Sequence, residues 1–119
     1  MPQTLQKHPL STSPPTNIGN ISLRTASLSS LTASHVTIAP RGSWTRDLKP
    51  KQGTDSCQKG HVGYMLKGEL GIKMDDGTEV VFNEGDVFVV PPGHDAWCVG
   101  GDECVFVEFG RGAEDVFAK

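Results

Sequence analysis

Short apolar runs, each ended by a turn that contains glycine, dominate the chain from residue 61 to residue 109. In these runs apolar and polar side chains alternate, or the apolar stretch lasts only a few residues, which favours β-strands over helices. Asp75-Asp76-Gly77 predicts a hairpin turn, because glycine accepts a positive φ. The predicted strands are 62–67, 70–74, 79–82, 86–90, 94–99 and 104–109.

The pattern is weaker before residue 61. Residues 35–39 alternate and predict a strand, Trp44 is interpreted as the anchor of a further extended piece, and residues 49–60 as a polar loop. A first strand and turn are indicated by four aliphatic residues: Ile21, Leu23, Leu28 and Leu31. No segment has a clear helical period, although a short terminal helix at 113–118 is an alternative to coil. The chain therefore predicts an all-β sandwich or barrel of about eight antiparallel strands.

The domain organisation follows from length and composition. A chain of 119 residues is long enough for one modest core and too short for two. Residues 1–19 are rich in Pro, Ser and Thr, so we expect a flexible or strand-like N-terminal arm before a single domain at 20–119. All 14 acidic residues lie from Asp47 onward, which leaves an organelle transit peptide as an alternative interpretation of the arm.

Charge and cysteine content limit the partners and the compartment. A net charge of −3 indicates no excess of basic residues for binding nucleic acid or an anionic membrane. No apolar run is long enough to span a bilayer. Three cysteines are too few for a disulfide framework and favour reduced thiols in a cytoplasmic protein. Cys98 and Cys104 flank a Gly-Gly-Asp turn and could face each other across a hairpin.

Two polar clusters carry the candidate chemistry. Residues 85–95 read GDVFVVPPGHD, in which a buried strand ends in a Pro-Pro-Gly turn that places His94 at a rigid position. Residues 55–61 read DSCQKGH and lead directly into another strand. Two such clusters next to two apolar strands predict a single site inside a small barrel.

These residues resemble the cupin family. In the second cupin motif, Gly85, Pro91 and Gly93 match with the family spacing, while the histidine position falls on Ala96 and the asparagine position on Gly100. His94 lies two residues before the expected histidine, on the same strand face. The resemblance covers roughly residues 35–110 and implies a small jelly-roll barrel of the single-domain type with a PPGHDAW signature.

The first cupin motif departs from the family at every ligand position. With Gly68 in register, His61 falls at the glutamate position, Cys57 at the second histidine position and Asp55 at the first. With His94, these residues form a candidate metal set in which Asp55 or water takes the fourth place. A thiolate with imidazoles suits Zn²⁺ best, whereas the Fe²⁺ or Mn²⁺ of other cupins prefer histidine and carboxylate.

Three functions remain open from the sequence. The first is a metal-dependent enzyme acting on a small organic substrate. The second is a non-catalytic module that binds or senses a small ligand, consistent with the altered ligand positions. The third is metal-free acid–base catalysis with His94 as the base, oriented by Asp55 or Glu108.

Strand parity predicts the surroundings of the site. Gly63 and Met65 share a face with His61, and Ala96 shares a face with His94, so small side chains next to the histidines should leave space for a ligand. Tyr64, Leu66 and Trp97 have the opposite parity and should pack under the arm or against a second subunit. Trp44 fits either the core or the mouth of the pocket. A domain this small with apolar residues on both faces predicts a homodimer.

Overall fold

The computed structural model describes residues 5–29 and 31–110. A 3-10 turn and two short helices accompany nine β-strands in this part of the chain. The strands are β1 (Thr16–Ile18), β2 (Ile21–Leu28), β3 (Leu31–Ile38), β4 (His61–Lys67), β5 (Glu69–Met74), β6 (Glu79–Phe82), β7 (Val87–Val90), β8 (His94–Val99) and β9 (Cys104–Phe109). The 3-10 turn is Leu10–Thr12, and the helices are α1 (Trp44–Asp47) and α2 (Lys49–Gln52).

The strands form two antiparallel sheets. The larger sheet has the order β1-β2-β3-β9-β4-β7, and the smaller one has the order β6-β5-β8. The core lies between them, and its largest fully buried side chains are Met65 and Cys104. The predicted all-β jelly-roll class is confirmed, with nine described strands where the sequence predicted about eight.

Alternating burial explains why these segments form strands. In β4, Met65 is fully buried while Tyr64 and Leu66 are exposed, and in β7 Phe88 and Val90 are buried while the two other residues point outward. The parity predicted for β4 is therefore correct.

Trp97 also has its predicted parity, and the structure identifies its partner. A Cβ atom at Gly71, which pairs with Trp97 across the small sheet, would lie 2.4 Å from the indole ring. The indole therefore covers Gly71 on the outer face of the sheet. Any larger residue at position 71 would displace the ring.

The segment after Trp44 differs from the sequence-based expectation. It is not extended: Ser43 accepts a hydrogen bond from the backbone N–H of Arg46 and caps helix α1. Helix α2 follows, where a polar loop was predicted, and it ends at Gly53 with a φ of 73°. Each helix is only four residues long, so neither shows a helical period in the sequence.

The N-terminal arm contributes one strand to the described fold. Thr16–Ile18 pairs antiparallel with β2, so this part of the arm lies at the edge of the large sheet. The predicted terminal helix at 113–118 lies outside the described residues. No helix in the described ranges is long and apolar enough to cross a membrane.

The Cys98 and Cys104 thiols do lie together, with their sulfur atoms 3.0 Å apart and both cysteines free. The hairpin that was expected to bring them together is absent, because β8 pairs in the small sheet and β9 in the large one. The contact therefore joins the two sheets.

Candidate metal centre

The turn between β7 and β8 fixes His94. Gly93 has a φ of +91°, a conformation that glycine accepts readily, and His94 begins β8 with 3% of its surface exposed. His94 Nδ1 lies 2.8 Å from the Pro91 carbonyl oxygen. A carbonyl only accepts, so Nδ1 carries the hydrogen and Nε2 is left as the free donor atom for a metal.

Backbone hydrogen bonds join Cys57 to this turn. The Cys57 N–H donates to the His94 carbonyl at 2.7 Å, and the Gly93 N–H donates to the Cys57 carbonyl at 2.7 Å. The two polar clusters of the sequence are therefore connected through their main chains. The Cys57 side chain is 3% exposed.

His61 completes the cluster at the start of β4. It pairs in register with Val90, the last residue of β7. Its Nδ1 lies 2.7 Å from Glu108 Oε2, and its Nε2 lies 3.7 Å from Cys57 Sγ. The His61 and His94 rings meet edge to face, with centroids 5.1 Å apart.

One ligand atom from each of Cys57, His61 and His94 lies within 4.8 Å of the others. Two ligands of a tetrahedral zinc ion are about 3.3–3.8 Å apart, given bond lengths of about 2.0–2.3 Å. The cysteine–imidazole distance already matches that separation, and small rotations would bring in the third ligand. The donor set therefore fits a zinc ion.

Asp55, the fourth candidate, is outside this group. Its side chain is exposed, whereas Cys57 two residues later is buried. Asp55 was a candidate from the cupin register alone, and residues 54–56 form a bend in which the Thr54 hydroxyl donates to the Ser56 carbonyl. The fourth place of a tetrahedral site is therefore open in the described part of the chain.

The electrostatics of the cluster favour a thiolate. Burial raises the pKa of Cys57, but hydrogen bonds with His61 and His94 outweigh burial and lower the pKa from 9.0 to about 6. Burial lowers the pKa of His61, but the Cys57 and Glu108 hydrogen bonds raise it from 6.5 to about 9. At neutral pH the metal-free pair is thus a thiolate and an imidazolium.

Glu108 is the site residue whose role the sequence did not predict. It was considered as a group that orients His94, and the structure places it against His61 instead. Glu108 lies opposite Gly63 in the β4–β9 pairing, two residues along β4 from His61. Only the order of strands in the sheet brings these residues together, and no local sequence signal contains that order.

A cavity of about 130 Å³ lies between the sheets beside the cluster. Ala96 lines it as expected, whereas the space beside Gly63 is filled, because a Cβ there would lie 2.7 Å from the Phe88 ring. Trp44 is both a core residue, 4% exposed, and part of the lining. The remaining apolar lining consists of Ile21, Leu23, Val36, Ile38, Leu48, Leu70, Ile72, Phe88, Val90 and Phe106.

Solved structures with the same fold share little sequence with this chain. KdgF from Halomonas sp. has a TM-score of 0.65 at 19% identity, covering 96% of this chain and all (100%) of that one. An RmlC-like cupin from Shewanella frigidimarina has a TM-score of 0.61 at 20% identity, covering 92% and 95% of the two chains. The polyketide cyclase RemF from Streptomyces resistomycificus has a TM-score of 0.63 at 16% identity, covering 89% and 78%.

No curated protein matches the sequence. The sequence pattern of the EutQ-like cupin domain does match, over residues 36–105. This range is more than half of the chain and includes all three residues of the Cys57–His61–His94 cluster. The protein therefore belongs to the cupin superfamily, as an EutQ-like cupin domain.

Proposed function

We propose that this cupin is a zinc-dependent enzyme that acts on a small organic substrate held in the cavity between the sheets. The convergence of Cys57, His61 and His94 at the cavity wall carries the proposal. Three protein donors with one open position are typical of catalytic rather than structural zinc sites. A thiolate and two imidazoles favour zinc over the iron or manganese that prefer carboxylate ligands.

The chain's own residues hold the donor atoms in place. The Pro91 carbonyl fixes the tautomer and orientation of His94, and the Glu108 carboxylate does the same for His61. Both rings therefore turn Nε2 away from these partners. The backbone bonds between Cys57 and the Gly93–His94 peptide keep the thiolate beside them.

Cys57, His61 and His94 would hold the zinc ion, which would supply a Lewis acid for polarising an oxygen of the substrate. The protein supplies the surroundings in which that polarisation is strong. Most of the cavity lining is apolar, so charges at the polar end are less screened than in solvent.

A non-catalytic binding module is the second candidate. The mostly apolar lining favours it, because few polar groups other than the cluster itself are available to handle protons. Turnover distinguishes the two: the binding module takes up a ligand and is stabilised by it without changing it.

We also infer that the chain forms a homodimer in a reducing, cytoplasmic compartment, which would keep the Cys57 thiol available. Support for the dimer comes from the outer face of the large sheet, where Val87 is 77% exposed, Val89 51% and Tyr64 40%. Val87 and Tyr64 are register partners, so their side chains form one continuous apolar surface on strand β7 and its neighbour. A second copy related by a two-fold axis would present the same surface.

A zinc titration of the purified protein tests the metal site. The wild type is expected to bind one equivalent, and His94→Ala to bind roughly 100-fold more weakly or not at all, since losing a ligand should exceed the loss from a supporting residue. His35→Ala is the matched control, because His35 lies on β3 outside the cluster. Equal zinc binding by wild type and His94→Ala would contradict the proposal.

A further inference from the structure

The polar and apolar parts of the cavity lining are separated along the strands. Along the inward face of β9, from its C-terminal to its N-terminal end, lie Glu108, Phe106 and the fully buried Cys104. On β8, His94 is followed by Ala96 and then by the buried Cys98. Both strands thus run from a polar end at the metal cluster to an apolar, buried end.

We propose that the ligand of this cavity is a monocarboxylate with a short apolar chain of about four to six carbon atoms. The carboxylate lies at the Cys57–His61–His94 end, and the hydrocarbon chain lies between Ile72, Ala96 and Phe106. The proposal rests on the zinc site proposed above.

The size of the chain follows from the volume of the cavity. Its volume of about 130 Å³ is close to the roughly 150 Å³ of an engineered apolar cavity that binds benzene, a six-carbon molecule. A chain much longer than six carbon atoms would not fit within this volume.

The charge of the head group follows from the residues at the polar end. A zinc dication with the Cys57 thiolate leaves one positive charge, and Lys59, an exposed residue of the cavity lining, carries a second. Glu108 contributes one negative charge but is bound to His61. The polar end is therefore net positive and favours a monoanion over a neutral alcohol or amide.

Calorimetric titration of the zinc-loaded full chain with acetate, butanoate, hexanoate and decanoate tests this proposal. Affinity is expected to rise about fourfold for each methylene up to roughly hexanoate, because each buried methylene adds a fixed increment. Decanoate should bind more weakly than hexanoate. Butanamide, which has nearly the same shape as butanoate without the charge, should bind at least tenfold more weakly than butanoate.

Two variants locate the chain in the cavity. Ala96→Leu fills space beside His94, so the acid that binds most tightly should be shorter than in the wild type. Ile72→Val enlarges the cavity, so the ratio of hexanoate affinity to butanoate affinity should be higher than in the wild type. Val81→Thr, on the exposed face of β6, is the matched control and should leave the series unchanged. If Ala96→Leu does not fold, the chain-length preference of Ile72→Val alone tests the proposal.

Zinc content, measured separately for every sample, distinguishes the possible failures. A protein that binds zinc but shows no dependence on chain length, or binds butanamide as well as butanoate, overturns this inference and leaves the zinc site standing. A protein that binds no zinc overturns the zinc site and, with it, this inference.

Discussion

The protonation states of Cys57 and His61 determine how zinc binding should depend on pH. With a Cys57 pKa of about 6 and a His61 pKa of about 9, the metal-free pair holds one proton between these values and two below about 6. Zinc needs both groups deprotonated, so protons compete with it.

We therefore expect zinc affinity to rise about tenfold for each pH unit between pH 6 and 9, and about 100-fold for each unit below pH 6. Zinc affinity rises with pH because zinc binding releases protons from the pair. One proton is released between pH 6 and 9, and two are released below pH 6. Competition with a zinc-binding dye across this range measures it. An affinity that does not change between pH 6 and 9 would be incompatible with the thiolate–imidazolium pair.

Glu108 acts on the metal through His61. Removing its carboxylate in Glu108→Ala should weaken zinc binding by about 10–100-fold, as is usual for a carboxylate that orients a histidine ligand. It should also lower the His61 pKa below about 9, because the Glu108 hydrogen bond is one of the interactions that raise this pKa.

Zinc competition and an NMR titration of the His61 ring measure the two effects. Glu103→Ala is the control, because Glu103 pairs with Lys67 on the surface rather than with the cluster. A Glu108→Ala protein with wild-type zinc affinity and an unchanged His61 pKa would show that the 2.7 Å contact has no role in the site.

The structure brings together three of the four metal-ligand candidates that the sequence proposed from their register with the cupin motifs. Gly68, Gly85, Pro91 and Gly93 match the cupin spacing, so the positions of Cys57, His61 and His94 relative to the motifs could be found without the structure. Asp55 was proposed from the same register, but its exposed side chain lies in a bend, outside the group that the other three residues form. The contact of Glu108 depends on which strands are neighbours, which is a non-local property.

At the scale of the elements, the turn between β7 and β8 is the feature that positions the site. Gly93 has a positive φ, donates to the Cys57 carbonyl, and lies so close to Asp75 that a Cβ would be 2.8 Å from its carboxylate. A side chain here would therefore disturb both the fold and the cluster.

Comparing Gly93→Ala with Gly85→Ala separates these two effects. Gly85 has nearly the same φ, +93°, but an added Cβ would have no heavy atom within 4 Å. Both variants should lose roughly 1–2 kcal/mol of unfolding free energy from backbone strain, and only Gly93→Ala should also bind zinc more weakly. Chemical denaturation and zinc competition measure the pair. Equal zinc affinities in the two variants would show that the turn does not position the ligands.

The strands from β4 to β9 were predictable because their apolar runs are short and turns that contain glycine separate them. Helices α1 and α2 were not, because four residues make barely one turn and cannot display a period. Ser43 before α1 and Gly53 after α2 were the local signals, and single residues of these types are too common to predict a helix.

At the scale of the whole molecule, two sheets enclose one core, and the outer face of the large sheet carries exposed apolar side chains at Tyr64, Val87 and Val89. Val87→Lys places a charge at the centre of the proposed dimer interface, and we expect it to convert a dimer to a monomer in sedimentation velocity experiments. Val81→Lys is the control, because Val81 is also exposed, at 43%, but lies on β6 in the other sheet. A monomeric wild type, or a dimer that survives Val87→Lys, would contradict the proposed interface.

X-ray absorption spectroscopy of the zinc-loaded protein tests the central claim most directly, since it counts sulfur and nitrogen neighbours of the metal. The proposed site predicts one sulfur at about 2.3 Å and two imidazole nitrogens at about 2.0–2.1 Å, with the sulfur lost in Cys57→Ser. A zinc shell without sulfur, or one that Cys57→Ser leaves unchanged, would show that the metal does not bind at the Cys57–His61–His94 cluster.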